Sequence, residues 1–200
     1  GGVVKDSALK ILDQNEVKLQ GRRIQLQKAQ YIMLHKPLGT VCTSINDDAR
    51  SVMNLLGTEK TESLHTAGRL DIDTTGLVLI TDDGAWSHRI TSPKKLCGKR
   101  YRVGLAEALP NDAELKFKEG VQLKDEDKLT RPAELQMLSS HEVLLTIHEG
   151  KYHQVKRMFA ALGNRVVSLH REKVGLIELD EGLAQGDWRP LTATEINSVT

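Results

Sequence analysis

Strand-like runs outnumber helical ones in this chain, and several follow one another with no helix between them. Residues 77–81, 99–105, 133–138, 143–148 and 165–169 all read as strands. Another opens at residues 31–34 and resumes at 40–43, after the punctuation of His35-Lys36-Pro37-Leu38-Gly39. A doubly wound βαβ fold needs regular alternation, so this order predicts an α+β protein with a largely antiparallel mixed sheet flanked by helices. Between the strands, residues 52–56 are apolar enough for a short helix, and Asp82-Asp83-Gly84 turns into a helix over 85–90 that stops at Ser92-Pro93. Pro110-Asn111 opens a third, with Asn111 as N-cap and Glu114 three residues on. Val155, Met158, Phe159 and Leu162 form an amphipathic stripe closed by Gly163-Asn164, and Thr192-x-x-Glu195 caps a last short helix.

At the N-terminus, residues 3–19 alternate loosely around Asp13-Gln14-Asn15, a pattern for two short strands, and the polar, basic residues 20–30 read as a linker. Aromatics make up only 4% of the chain, so the core must rest on Leu, Ile and Val. Cys42 and Cys97 form no CxxC pair, which fits small buried hydrophobes in a reduced, cytoplasmic interior. No apolar run reaches the roughly 18 to 20 residues that span a bilayer, and Gly1-Gly2-Val3-Val4-Lys5-Asp6 does not read as a secretory leader. The absent initiator Met predicts a processed or truncated start.

The net charge of +1 conceals segregation. Residues 86–102 hold six Lys and Arg and no acid; residues 148–173 hold six against two; residues 107–128 are acidic. Two basic segments suit a polyanion-binding face. A solvated face is the plainer alternative, but Tyr101 and Tyr152 lie within the clusters, and aromatic rings give unstacked bases a surface.

The densest chemistry lies in Gly68-Arg69-Leu70-Asp71-Ile72-Asp73-Thr74-Thr75-Gly76, where a guanidinium, carboxylates and hydroxyls sit between two glycines just ahead of a buried strand. A carboxylate beside an arginine on a loop anchored to a sheet can do chemistry; a solvated turn is the alternative. Lys156 projects from a different face than Val155 and can line a cleft edge. His148 and His153 are five apart with a Gly between them, so no metal site is expected, and His65, His88 and His170 read as structural or solvent-facing. Neither a phosphate-binding Gly loop nor a serine-nucleophile elbow is present in the sequence.

Three segments together carry a resemblance: residues 68–76, Lys99-Arg100-Tyr101, and Glu149-Gly150-Lys151-Tyr152-His153-Gln154-Val155-Lys156-Arg157-Met158. They are similar to the signature segments of pseudouridine synthases, in the branch named for the ribosomal small-subunit enzyme A (RsuA). Lys36-Pro37-x-Gly39 resembles that branch's opening strand, with His35 where the family usually has Asn, and the match runs through Gly186-Asp187-Trp188-Arg189-Pro190-Leu191-Thr192. Residues 86–93 resemble the small-subunit member more than its large-subunit relatives. The resemblance implies a catalytic domain over residues 30–200, preceded in residues 1–25 by the later half of an S4-like RNA-binding module.

It also implies isomerisation of one uridine to pseudouridine in small-subunit (16S) rRNA, at uridine 516; a 23S rRNA target is the alternative within the branch. Asp71 matches the essential carboxylate, as nucleophile or charge stabiliser acting at C1′, at ribose C2′ or at uracil C6. Tyr101 matches the tyrosine that stacks on the uracil, and Lys156 the basic partner expected to pair with Asp71 and lower its pKa. Arg69, Arg89, Lys99, Arg100, Gln154 and Arg157 are the implied RNA contacts, Arg69 as filler of the gap the base leaves or as a phosphate partner. Thr74 and Thr75 are expected to fix the Asp71 loop by hydrogen bonds, and Gly76 to allow close packing. No cofactor or metal is implied; the partner is ribosomal RNA or a small-subunit assembly intermediate, with the protein a cytoplasmic monomer. Two rivals stay open: a non-catalytic RNA binder, and a glycosidic hydrolase using Asp71 and Asp73.

Overall fold

The structure, a computed structural model, describes residues 2–6, 8, 17–20, 22–24, 28–44, 48–59 and 62–200. The turn at Asp13-Gln14-Asn15, the residues on its N-terminal side from 9 onward, and the boundary expected near residue 25 lie outside the described residues. β1 (Val17–Leu19) and β2 (Arg22–Ile24) pair as an antiparallel hairpin, so part of the expected linker is a strand.

The main sheet begins with β3 (Tyr31–Lys36). A 3₁₀ helix (Val52–Glu59) then leads to β4 (His65–Thr66) and β5 (Thr75–Thr81). Next come α1 (Gly84–Thr91), a 3₁₀ turn (Pro93–Lys95), β6 (Lys99–Leu105) and α2 (Ala113–Glu119). β7 (Glu134–Met137), β8 (Glu142–Ile147) and α3 (Gln154–Ala161) follow. The chain closes with β9 (Val166–Val174), β10 (Ile177–Glu178), β11 (Trp188–Pro190) and α4 (Ala193–Asn197).

Spatial order in the sheet is β11-β3-β5-β9-β6-β8-β7, with β4 on β5 and β10 on β9. Among the described residues every pairing in this sheet is antiparallel except β5 with β9. The expected α+β class with a largely antiparallel mixed sheet therefore holds.

Both faces are covered, which explains why β5 is a nearly unbroken apolar run instead of an alternating one. Val78 and Ile80 point into one core with Ile32 and Leu34 of β3, joined there by Phe117 of α2 and by Val155, Met158 and Phe159 of α3. Leu77 and Leu79 point the other way, with Met33, into a smaller core against Trp86 and Ile90 of α1. The stripe read from Val155, Met158 and Phe159 is thus the buried face of α3. Among the described residues no helix is long and apolar enough to cross a membrane.

Four local expectations need correction. Residues 40–43 make only an isolated bridge, Val41 to Ser51, because the chain leaves the sheet at Pro37, which has no N–H to donate. The N-cap of α2 is Asp112, with no side-chain cap bond, not Asn111. β9 runs on to Val174, five residues past the expected end, because β6 pairs along its length. The short strands β4, β10 and β11 carry too few residues for a readable period.

Candidate active site

The loop that ends at β5 is folded by its own backbone. The Thr74 amide donates to the Asp71 carbonyl at 3.0 Å, closing a tight turn that begins at Asp71. Beneath it lies Lys36, fully buried at the end of β3. Its ammonium donates to the carbonyls of Thr74 (2.7 Å), Pro37 (3.2 Å) and Ile72 (3.5 Å). Burial lowers the Lys36 pKa, and the thiol of Cys42 and the carboxylates of Asp73 and Asp71 oppose that shift. One buried cation therefore fastens three loop carbonyls.

The turn forms one wall of an open cleft of about 790 Å³. Tyr101, Lys156, His153, Lys99 and Arg171 line the same cleft. Tyr101 is only 8% exposed and is held by β6, whose neighbours β8 and β9 bond it on both edges. Lys156 comes from the first turn of α3, and His153 is its N-cap residue.

The ammonium of Lys156 donates to both carboxylate oxygens of Asp73 at 2.8 Å and stands 3.8 Å from Asp71 Oδ2. The expected Lys156–Asp71 pair is therefore a shared one, with Asp73 as the first partner. The two acids sit two residues apart on one turn, and the outer carboxylate meets the lysine chain first. Its hydrogen bond to Lys156 holds the Asp73 carboxyl below the ordinary carboxylate range. Asp71 has a second neighbour that sequence reasoning passed over: His153 Nε2 is 3.3 Å from Oδ2.

The other expected site residues divide. Arg69 is exposed on the cleft rim, and Lys99 lies in its lining, donating to the Cys97 carbonyl at 3.3 Å, its pKa lowered by burial. Gln154 lines the cleft, yet its amide is committed internally: Oε1 accepts from the Lys151 amide and Nε2 donates to Glu149. Arg100 points the other way, to Glu172 at 2.7 Å, and does not line the cleft. Arg157 clamps the carbonyls of Lys124 and Tyr152, and Arg89 sits on α1 near Asp83; neither lines the cleft. Of the two hydroxyls expected to fix the loop, Thr75 Oγ1 bonds to His170 Nδ1 at 2.8 Å and ties the loop's end to β9, while the Thr74 hydroxyl is buried without a partner.

Sequence reasoning missed Lys36, His153 and Arg171. A signal existed for the first: Lys36 has the same strand parity as the buried Ile32 and Leu34, which puts it inside. Arg171 likewise shares parity with buried Leu169 on β9; its Nε donates to the Leu77 carbonyl at 2.9 Å, and its buried Nη2 has no partner. Among the described residues no group of three or more His, Cys, Asp or Glu side chains gathers as a metal site.

A carboxylate in a cleft, cations around it and a buried tyrosine from a mixed sheet in the same lining together define a class. The chain belongs to the RNA pseudouridylate synthase family, whose model matches residues 30–161. Within that family it is similar to proteins named ribosomal small subunit pseudouridine synthase A. The ribosomal small subunit pseudouridine synthase A of Vibrio vulnificus (strain CMCP6) is 56% identical over 199 residues, covering 98% of this chain and 85% of the relative. The protein of that name from Escherichia coli (strain K12) is 51% identical over 200 residues, 100% and 87% of the two chains. A crystal structure of a pseudouridylate synthase matches with a TM-score of 0.83 at 47% identity, over 100% of this chain and 86% of that one. Human RNA pseudouridylate synthase domain containing 1, at 15% identity and a TM-score of 0.50 over 84% of this chain and 87% of that one, shares the fold alone.

Proposed function

We propose that this protein isomerises a uridine of small-subunit ribosomal RNA to pseudouridine, with Asp71, Tyr101 and Lys156 as the working groups. The observation that carries this is the placement of Asp71, in one cleft with Tyr101 and within 4 Å of two basic side chains. Isomerisation breaks N1–C1′, turns the uracil in place, joins C5 to C1′, moves a proton from C5 to solvent and leaves one on N1. Attack at C1′, removal of the C2′ proton and attack at C6 all require an ionised carboxylate against the nucleoside. The ammonium of Lys156 stands 3.8 Å from Asp71 Oδ2, and that of Lys36 is bonded to carbonyls of the same turn. Tyr101 presents its ring as the surface on which the uracil turns.

The proposed substrate is 16S rRNA at uridine 516, free or in a small-subunit assembly intermediate, acted on by a cytoplasmic monomer. Residues 30–200 form the proposed catalytic domain, with residues 1–25 as the later half of an S4-like module. Arg69, Lys94 and Lys95 are exposed near the cleft and make no ion pair among the described residues, which suits contact with phosphates. The hydrolase alternative needs one carboxyl group with a raised pKa as general acid. Asp73, the carboxylate that this alternative pairs with Asp71, is held low by Lys156.

Tritium release from uracil-5-tritiated small-subunit RNA tests the proposal. Wild type releases tritium and leaves the RNA mass unchanged apart from the exchanged hydrogen; Asp71→Asn releases none. Release by Asp71→Asn, or appearance of free uracil, contradicts it.

A further inference from the structure

The outer rim of the cleft carries a ring pair, Tyr152 on His153, whose phenol packs into neither hydrophobic core. Tyr152 is 77% exposed. Its ring lies on the His153 imidazole with centroids 3.8 Å apart and planes 20° from parallel. That stack is built on a left-handed backbone, φ 48° and ψ 36° at His153, a conformation that side-chain-bearing residues adopt sparingly. The turn is fastened from below. The Gln154 amide donates to the Lys151 carbonyl at 3.1 Å, Gln154 Oε1 accepts from the Lys151 amide at 3.0 Å, and Arg157 Nη1 donates to the Tyr152 carbonyl at 3.0 Å. The inner edge of the stack touches the reacting group, since His153 Nε2 lies 3.3 Å from Asp71 Oδ2. Carboxylate, imidazole and phenol therefore follow one another outward, and the far face of the phenol is left to solvent.

We infer that Tyr152, backed by His153, is a stacking subsite for the unpaired nucleobase next to the uridine that is isomerised. The inference rests on the function proposed above. A uridine drawn out of its stack deprives its neighbours of a stacking partner. A rigid ring one layer beyond the catalytic carboxylate replaces that partner and accepts any base, because every base has a π-face. The exposed cations Arg69, Lys94 and Lys95 supply charge for the backbone of the same strand. A solvent-facing ring on a turn pinned by three hydrogen bonds loses little further freedom on stacking.

The test uses the full chain and an RNA hairpin cut from small-subunit rRNA around the modified uridine. Each nucleotide flanking that uridine is replaced in turn by an abasic residue. Tyr152→Ala is expected to lower kcat/KM on the order of tenfold, mainly through KM, while Tyr152→Phe and Tyr152→Trp stay near wild type. One abasic substitution is expected to cost wild type a similar factor and Tyr152→Ala nothing more. Equal abasic losses in both proteins, or a loss in Tyr152→Phe as large as in Tyr152→Ala, overturns the inference. A 2-aminopurine at the same nucleotide gives a readout independent of turnover: it is quenched on binding wild type and not Tyr152→Ala, and quenching retained in the variant overturns the subsite. If wild type binds and quenches but forms no pseudouridine, the functional reading fails and the subsite stands.

Discussion

Two lysines act on one loop by different means. Lys156 reaches the carboxylates directly, its ammonium bonded to Asp73 and 3.8 Å from Asp71. Replacing it by Met removes the cation that holds the Asp73 carboxyl low and leaves two acids of one turn facing each other. Ionisation of Asp73 then requires higher pH, so the acidic limb of the kcat/KM profile is expected to move to higher pH. A limb that stays in place contradicts this electrostatic role. Lys36 works through carbonyls and not carboxylates, and Lys36→Met keeps its length and volume while orphaning the buried acceptors of the Asp71 turn. The expected result is a loss of about 1–3 kcal/mol in a urea melt, together with a fall in kcat that exceeds any change in KM.

The elements show how far the chain's own pattern reaches. α1 starts where Asp82-Asp83-Gly84 promised, because the Asp83 carboxylate accepts from the Trp86 amide at 3.0 Å. Asp83 also accepts from the Tyr31 hydroxyl, tying α1 to β3. That bond raises the Tyr31 pKa from 10.0 to about 12 and lowers that of Asp83. A tyrosine whose folded pKa is raised adds stability that is complete below its unfolded pKa and is lost as pH rises through the folded one. Between pH 10 and about 12, wild type should therefore lose stability more steeply than Tyr31→Phe, which should already be weaker by about 1 kcal/mol at pH 8. Trp86 fluorescence during denaturant titration reports both. What the sequence hid is what long-range contacts decide. The Thr192–Glu195 capping box was legible because it is local, and it is present. The partner of Lys156 was not, since Asp71 and Asp73 differ only in which one the α3 side chain meets. Arg100 looked like an RNA contact only because Glu172 and Glu178, which it faces, lie far along the chain.

At the scale of the molecule, the sheet has two halves. β11, β3, β4 and β5 form one; β9, β10, β6, β8 and β7 form the other. Among the described residues the strand pairing that joins the halves is the parallel contact of Thr75 and Gly76 with His170 and Arg171. Gly76 has φ 115°, and a Cβ there would run into the Arg171 backbone, so Gly76→Ala is expected to destabilise by about 3 kcal/mol or more in thermal or urea unfolding. Asp71 belongs to the first half, Tyr101 and Lys156 to the second. A parallel junction cannot be closed by a hairpin, and this one joins residues 95 positions apart. Loop closure over that distance is slow, and the contacts rewarding it arrive only once it is complete. During biosynthesis, then, the acid and its counterparts meet after nearly the whole chain has emerged, and a nascent fragment ending before β9 can be well folded in its first half yet catalytically silent.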